Sequence, residues 1–264
     1  MHLMRFIQRL AFVPVAASLA FGMFGLAGSV RAVVIEGFEL GTGTVFGDAS
    51  RVGIYGPTGG VVPPQGSFQL LLTTFSTLSP GDGAPISGTN AQRTATLETN
   101  LGLAAGTIRN SNVGGSAGNG FEGSAYTLTI SLNAGDVFRF QYDFMTVEDP
   151  AQIPFHPDFA FFSVRGAASS YSTLIDASAA LTVNANLTSF NFESGYRTVN
   201  FTALTSGSYT FSIGVMDAGT VGTLQSGLLL DNIQVIAIPE ASTLAFALIG
   251  GVGAVGLIRR RRTA

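Results

Sequence analysis

Between residues 126 and 144 the sequence alternates apolar and polar side chains almost without a break. Tyr126, Leu128, Ile130 and Leu132 fall on one face with Thr127, Thr129 and Ser131 between them. Phe138, Phe140, Tyr142 and Phe144 share a face opposite Arg139, Gln141 and Asp143. A period of two belongs to a half-buried strand and does not fit the 3.6-residue period of a helix. The intervening Asn133, Ala134, Gly135 and Asp136 have turn chemistry, so the two runs predict a β-hairpin.

A second pair follows the same logic. Residues 198–203 lead through Thr205, Ser206, Gly207 and Ser208 into Tyr209, Phe211, Ile213 and Val215. The runs DFAFFSVR (158–165) and GLLLDNIQVI (227–236) are apolar for longer, as central strands are. Segments 33–38 and 67–74 complete the predicted strands. The stretches 77–90, 110–120 and 147–157 are loops by their Gly, Ser, Asn and Pro content. Few segments look helical, and turns recur about every ten residues. The expected fold is therefore all-β, an antiparallel β-sandwich with jelly-roll topology. Cysteine is absent, so disulfides cannot staple it, and a core or a bound metal must supply the stability.

The ends do not belong to that fold. Arg5 and Arg9, an apolar run over 10–26 and the small-residue exit Val30-Arg31-Ala32 read as a secretory signal, with cleavage expected after Ala32. A retained N-terminal anchor is the alternative. At the other end, Pro239, Glu240 and Ala241 precede an apolar stretch expected to form a transmembrane helix over 242–258, followed by Arg259, Arg260, Arg261 and Arg262. That length is just enough to cross a bilayer, and the arginines hold its far end on the cytoplasmic side. The expected organisation is signal 1–32, β-sandwich domain 33–236 and tail 237–264.

Within 33–236, six arginines face fifteen carboxylates, a formal charge of −9, and the chain has no lysine. Such a surface repels phosphate backbones, which argues against nucleic acid, and favours divalent cations. The histidines are His2, inside the signal, and His156, so a Ser-His-Asp arrangement has only one loop imidazole to draw on. No zinc, P-loop or dinucleotide motif is present. Glu148 and Asp149 are adjacent loop acids and read as solvated rather than catalytic. Asp231 shares strand parity with Leu229, Ile233 and Val235, which places it on a buried face. It must then be paired, protonated or metal-bound; a Ca²⁺ ion is one solution, and a sheet-edge turn, an arginine or a backbone amide is the other.

The tail resembles that of the PEP-CTERM family of exported bacterial proteins, with the motif at Pro239, Glu240 and Ala241 departing from the family in its third residue. The resemblance implies export through the inner membrane of a Gram-negative-type bacterium. It also implies recognition by an exosortase-type membrane protease and residence in the membrane, at the cell surface or in the extracellular matrix, in an exopolysaccharide setting. The departure at Ala241 leaves processing less secure than sorting. More weakly, the Glu36-Gly37-Phe38-Glu39 opening and the 229–235 closing strand resemble carbohydrate-binding-type β jelly-rolls. That resemblance implies a structural calcium ion held by Glu39 and Asp231, with Glu36 as an outside candidate. The expected role is structural or adhesive and non-enzymatic; the alternatives are a carbohydrate-binding module and, third, a secreted hydrolase. Tryptophan, the usual sugar-stacking residue, is absent, while Tyr55, Tyr171 and Tyr196 lie outside the clearest strands and could be exposed.

Overall fold

A computed structural model describes residues 31–36, 38–39, 43–57, 59–78, 83–113, 118–152, 156–179, 181–183, 188–218 and 224–238. Residues up to 30, expected to form the signal, lie outside the described residues, as do Pro239, Glu240, Ala241, residues 242–258, where a transmembrane helix is expected, and Arg259–Arg262. Among the described residues no helix is long and apolar enough to cross a membrane.

The chain runs through β1 (Arg31–Glu36), β2 (Thr44–Phe46), β3 (Asp48–Val52), β4 (Gln69–Thr73), β5 (Gln92–Arg93) and α1 (Thr94–Leu101). It continues through β6 (Glu122–Leu132), β7 (Val137–Thr146), a 3₁₀ turn at Pro150–Gln152, β8 (Phe159–Gly166) and β9 (Ser170–Asp176). The last strands are β10 (Thr182–Val183), β11 (Phe192–Glu193), β12 (Arg197–Thr202), β13 (Gly207–Asp217) and β14 (Ser226–Ala237). They form two antiparallel sheets. The eight-stranded sheet is ordered β10-β11-β7-β14-β4-β3, with β1 on β14 and β12 on β7; the six-stranded sheet is β2-β6-β13-β8-β9, with β5 on β6. This is a β-sandwich.

Alternation and apolar runs placed β1, β4, β6, β7, β8, β12, β13 and β14, passed over the short β2, β3, β5, β10 and β11 and the more exposed β9, and did not identify partners. β6 pairs with β13 over its full length, Leu132 opposite Gly207 and Glu122 opposite Asp217. β7 pairs with β14 and β12 in the other sheet. The predicted hairpin at 133–136 is therefore an arch that crosses from one sheet to the other, and so is the predicted second pair, β12 to β13. The two arches run side by side: Gly135 N donates to Ala203 O (2.7 Å), Ala203 N to Asp136 O (2.9 Å) and Ala134 N to Ser206 Oγ (2.9 Å). Gly135, at φ +93°, takes the left-handed conformation this corner requires. A period of two says which face is buried. It does not say whether that face meets a neighbour in the same sheet or a strand across the core.

The inner faces meet in one cluster that includes Tyr126, Leu128, Phe138, Phe140, Phe144, Phe162, Tyr209, Phe211 and Ile213. Both outer faces are also partly covered, which explains the long apolar runs. On the six-stranded sheet, Leu97 and Leu101, one helical turn apart on α1, pack with Ile108, Phe159, Phe161 and Met216. The helix ends at Gly102 in the left-handed region (φ 63°), a C-terminal cap. It is the departure from an all-β fold, and eight residues with a single apolar pair carry too short a period to announce it.

The arch topology is directly testable because the chain has no cysteine. Thr129 Oγ1 lies 2.9 Å from Thr210 Oγ1 across the β6–β13 ladder. Thr129→Cys with Thr210→Cys is expected to close a disulfide on mild oxidation. Thr129→Cys with Gln141→Cys, which share the polar face of the expected hairpin but lie on different sheets in the structure, is expected to stay reduced. Non-reducing electrophoresis with peptide mass mapping distinguishes the two.

Candidate functional site

β14 carries a bulge that sets the site. Asp231 opposes Gln141 and Gln234 opposes Arg139, so Asn232 and Ile233 together face a single residue of β7. Asn232 sits at φ 54°, in the left-handed region that Asn tolerates better than most residues. The bulge reverses the parity read from the sequence. Ile233 joins Leu228 and Leu230 in the inter-sheet core, whereas Leu229 packs on the outer face with Leu71, Phe75, Met145 and Phe190. Asp231 is buried as expected, but it does not share a face with Ile233 and Val235.

The outer face of the eight-stranded sheet has two halves. One lies beneath Tyr55, Val61, Val147 and Tyr196, which pack on the Leu71–Leu229 cluster. Its boundary is polar. Gln69 Nε2 donates to Gly53 O (2.7 Å) and Val61 O (2.9 Å), and Tyr196 Oη donates to Gln69 Oε1. The other half is a strip of polar side chains, mostly planar amides and one guanidinium: Thr198 and Asn200 from β12, Arg139 and Gln141 from β7, Asn232 and Gln234 from β14. Register sets Thr198 opposite Gln141 and Asn200 opposite Arg139. Arg139 Nε donates to Asn200 Oδ1 (2.8 Å), Asn232 Nδ2 to Gln141 Oε1 (2.6 Å), and Gln234 Nε2 to Asn232 Oδ1. Thr198 and Asn200 are exposed and the rest half-buried. The Arg139–Gln141 part of this face was legible in the 138–144 alternation. The strip as a whole needed the β12–β7–β14 pairing.

Glu39 and Asp231, the candidate calcium ligands, are brought to one short segment of backbone. Asp231 Oδ2 accepts from Gln65 N (2.7 Å) and Oδ1 from Asn232 N (2.6 Å). Glu39 Oε1 accepts from Ser67 N (2.6 Å) and Phe68 N (3.1 Å), and its other oxygen lies 4.0 Å from Arg51. These carboxylate oxygens accept backbone N–H donors, and Glu39 lies beside a guanidinium. Among the described residues no group of three or more His, Asp or Glu is placed to hold a metal. The arrangement is a latch on the 65–68 segment. The side chain of Glu36 is outside the described set. Ala32, the expected cleavage point, is exposed and lies in β1 opposite Ile236, so cleavage there would start the mature strand at Val33.

Glu148 and Asp149 are not a solvated pair. Asp149 Oδ1 caps the amide of Ala151 (2.9 Å), while Glu148 is buried and its Oε2 accepts from Asp158 N (2.9 Å). Asp158, also buried, accepts from Ala218 N (3.1 Å) and Ser226 Oγ (2.7 Å), tying the ends of β13 and β14 to the start of β8. Burial, reinforced by the charges of Asp217 and Asp176, pushes Glu148 up to about 7. Burial, with Glu148 and Asp217 beside it, raises Asp158 as well. Asp143 reaches about 7 through burial and the charge of Glu193, against the lowering effect of Ser194. The three tyrosines are half-buried and hold loops rather than forming a platform: Tyr55 Oη meets Ser189 Oγ (3.0 Å), and Tyr171 Oη donates to Arg109 O (2.8 Å).

No protein-family profile matches the sequence, and no curated protein matches it. Among solved structures the chain is similar to a family 61 carbohydrate-binding module in complex with β-1,4-galactotriose, at 9% identity, covering 74% of this chain and 88% of that one, TM-score 0.35. It is also similar to a family 16 carbohydrate-binding module, at 13% identity, 45% and 79% coverage and TM-score 0.25. A third is the K3 cleaved adhesin domain of Lys-gingipain from Porphyromonas gingivalis, at 8% identity, 71% and 89% coverage and TM-score 0.28. At these scores the likenesses carry no argument about ligand, and the sandwich rests on the strand pairing.

Carboxyls whose folded pKa is raised hold protons more tightly in the folded than in the unfolded chain. Their stabilisation is complete below the unfolded carboxylate range and is lost as pH rises through about 7. Melting temperature is therefore expected to fall from about pH 5 to about pH 8, and Glu148→Gln to flatten that slope. The latch reading of Glu39 and Asp231 further expects superimposable melts in calcium and in EDTA; a higher Tm in calcium assigns the pair to a metal instead.

Proposed function

We propose that this chain is an exported, non-enzymatic adhesive protein of the bacterial envelope or extracellular matrix. A signal peptide carries it across the inner membrane, and a PEP-CTERM-like tail presents it to an exosortase-type protease. The β-sandwich then holds polysaccharide through the polar strip on its eight-stranded sheet. The strip is the observation that carries the binding part of this reading. Sugar hydroxyls both donate and accept hydrogen bonds, and amides and guanidinium groups fixed in register on a regular sheet offer complementary groups at little entropic cost.

Each neutral hydrogen bond nets about 0.5–1.5 kcal/mol. A few of them, without an aromatic platform, correspond to a dissociation constant on the order of millimolar for one domain. Weak single contacts suit adhesion by many tethered copies, in which effective concentration multiplies avidity. Against hydrolysis, Glu148 and Asp158 are buried and committed to backbone and hydroxyl donors, away from the strip.

Two measurements test the proposal. In native gels containing polysaccharide, the full-length chain is expected to be retarded, and Gln141→Ala with Asn200→Ala to restore most of its mobility while leaving the melting temperature within a few degrees. Unchanged retardation in the double variant removes the strip from the proposal. Mass spectrometry of the native protein is expected to find Arg259–Arg262 removed; a mature form retaining them excludes processing.

A further inference from the structure

The internal hydrogen bonds of the strip do not use its donors and acceptors evenly. A guanidinium has donors only, so Arg139 Nε obliges Asn200 to turn its Oδ1 inward (2.8 Å) and its Nδ2 outward. Gln141 Oε1 is taken by Asn232 Nδ2 (2.6 Å), and Asn232 Oδ1 by Gln234. What remains toward solvent on β7 and β12 is therefore the Nη edge of Arg139, Gln141 Nε2 and Asn200 Nδ2. These three are N–H donors, one with a full positive charge; the acceptors left in the strip are the Thr198 hydroxyl and Gln234 Oε1. The ion pairs of the described residues, Arg51 with Glu39 and Arg93 with Glu122, do not include Arg139.

A surface on which donors predominate beside a guanidinium fork favours ligands rich in acceptors, and a carboxylate meets such a fork with two parallel hydrogen bonds. Building on the polysaccharide-binding reading, we propose that the strip recognises the carboxylate of uronic acid residues in an acidic polysaccharide. The Arg139 fork engages the carboxylate, and Gln141 and Asn200 donate to the oxygens beside it. The negative charge of the domain as a whole does not prevent this. Charges beyond about 8 Å are screened at physiological ionic strength, so the local fork decides. An acidic peptide is the poorer fit over Arg139: β7 is paired on both sides there, so an extended peptide can add only along the outer edge of β12, which among the described strands pairs with β7 alone.

The test is affinity electrophoresis of the full-length chain in gels containing polygalacturonate, neutral dextran or polyglutamate. The expected result is binding to polygalacturonate about tenfold tighter than to dextran, the difference between charge-assisted and neutral hydrogen bonds, and weaker at high salt. Arg139→Gln is expected to abolish that preference, bringing polygalacturonate binding down to the level of the same variant's dextran binding. Arg139→Lys, which keeps the charge and loses the fork, is expected to fall between, with all variants checked by melting temperature. Equal binding to dextran and polygalacturonate, unmoved by Arg139→Gln, overturns the uronate inference and leaves the polysaccharide reading standing. Polyglutamate binding as tight as polygalacturonate overturns the commitment to a sugar chain. Retardation by none of the three overturns both readings together.

Discussion

Phe138 of the eight-stranded sheet lies flat on Phe211 of the six-stranded sheet, ring centroids 3.8 Å apart and planes within 4°. Phe162 and Phe140 extend the contact, with Phe162 5.2 Å from Phe140 and 6.0 Å from Phe211. Each such ring, fully buried, contributes roughly 1.5–3 kcal/mol, and without cysteine no covalent link supplements them. The sheets are therefore held by their inner faces and by the arches that deliver those faces to one another. The outer faces are free to be roofed by loops and a helix or to remain open.

The same chain buries many acids with few cations to meet them. The solution is repeated: backbone amides and hydroxyls replace arginine. Asp48, fully buried, accepts from Thr73 Oγ1, Ser87 Oγ and the amides of Ile86 and Ser87, while its own amide donates to Ser124 on the opposite sheet. Asp158 does the equivalent with Ala218 and Ser226. Neutral donors satisfy the lone pairs but do not cancel the charge, which is why burial dominates at Glu148, Asp158 and Asp143. Burial pushes Asp176 up as well, since it is as inaccessible as Glu148, but four hydrogen bonds from Ser178, Asn112 and Asn110 outweigh it and hold the carboxyl below its usual value. The number of donors and the neighbouring charges, more than burial alone, separate these cases.

The bulge at Asn232 joins the fold to the proposed site. By inserting one residue it turns Ile233 into the core while leaving Asp231 beneath the 65–68 segment, and it brings the Asn232 amide beside Gln141 and Gln234. A single local irregularity thus divides the sheet face into a roofed apolar half and an open polar one.

The strand identity of β6, β7, β12 and β13, the burial of Phe138, Phe140 and Phe144, and the polar face carrying Arg139 and Gln141 were legible in the sequence, because side-chain alternation is a local property of an extended backbone. The targeting reading of the two ends rests on charge and apolar length alone, and residues 1–30 and 239–264 lie outside the described residues. Partnership was not legible: β6 and β7 look like a hairpin in sequence and are an arch in space, since the choice depends on what lies across the core. Nor was the fate of Asp231, because parity counting cannot see a bulge that only the pairing with β7 creates. The sequence alone determined which side chains face inward and which outward. Only the tertiary structure decided which outward faces are covered, and so which polar groups remain available to a ligand, because cover comes from segments far away along the chain.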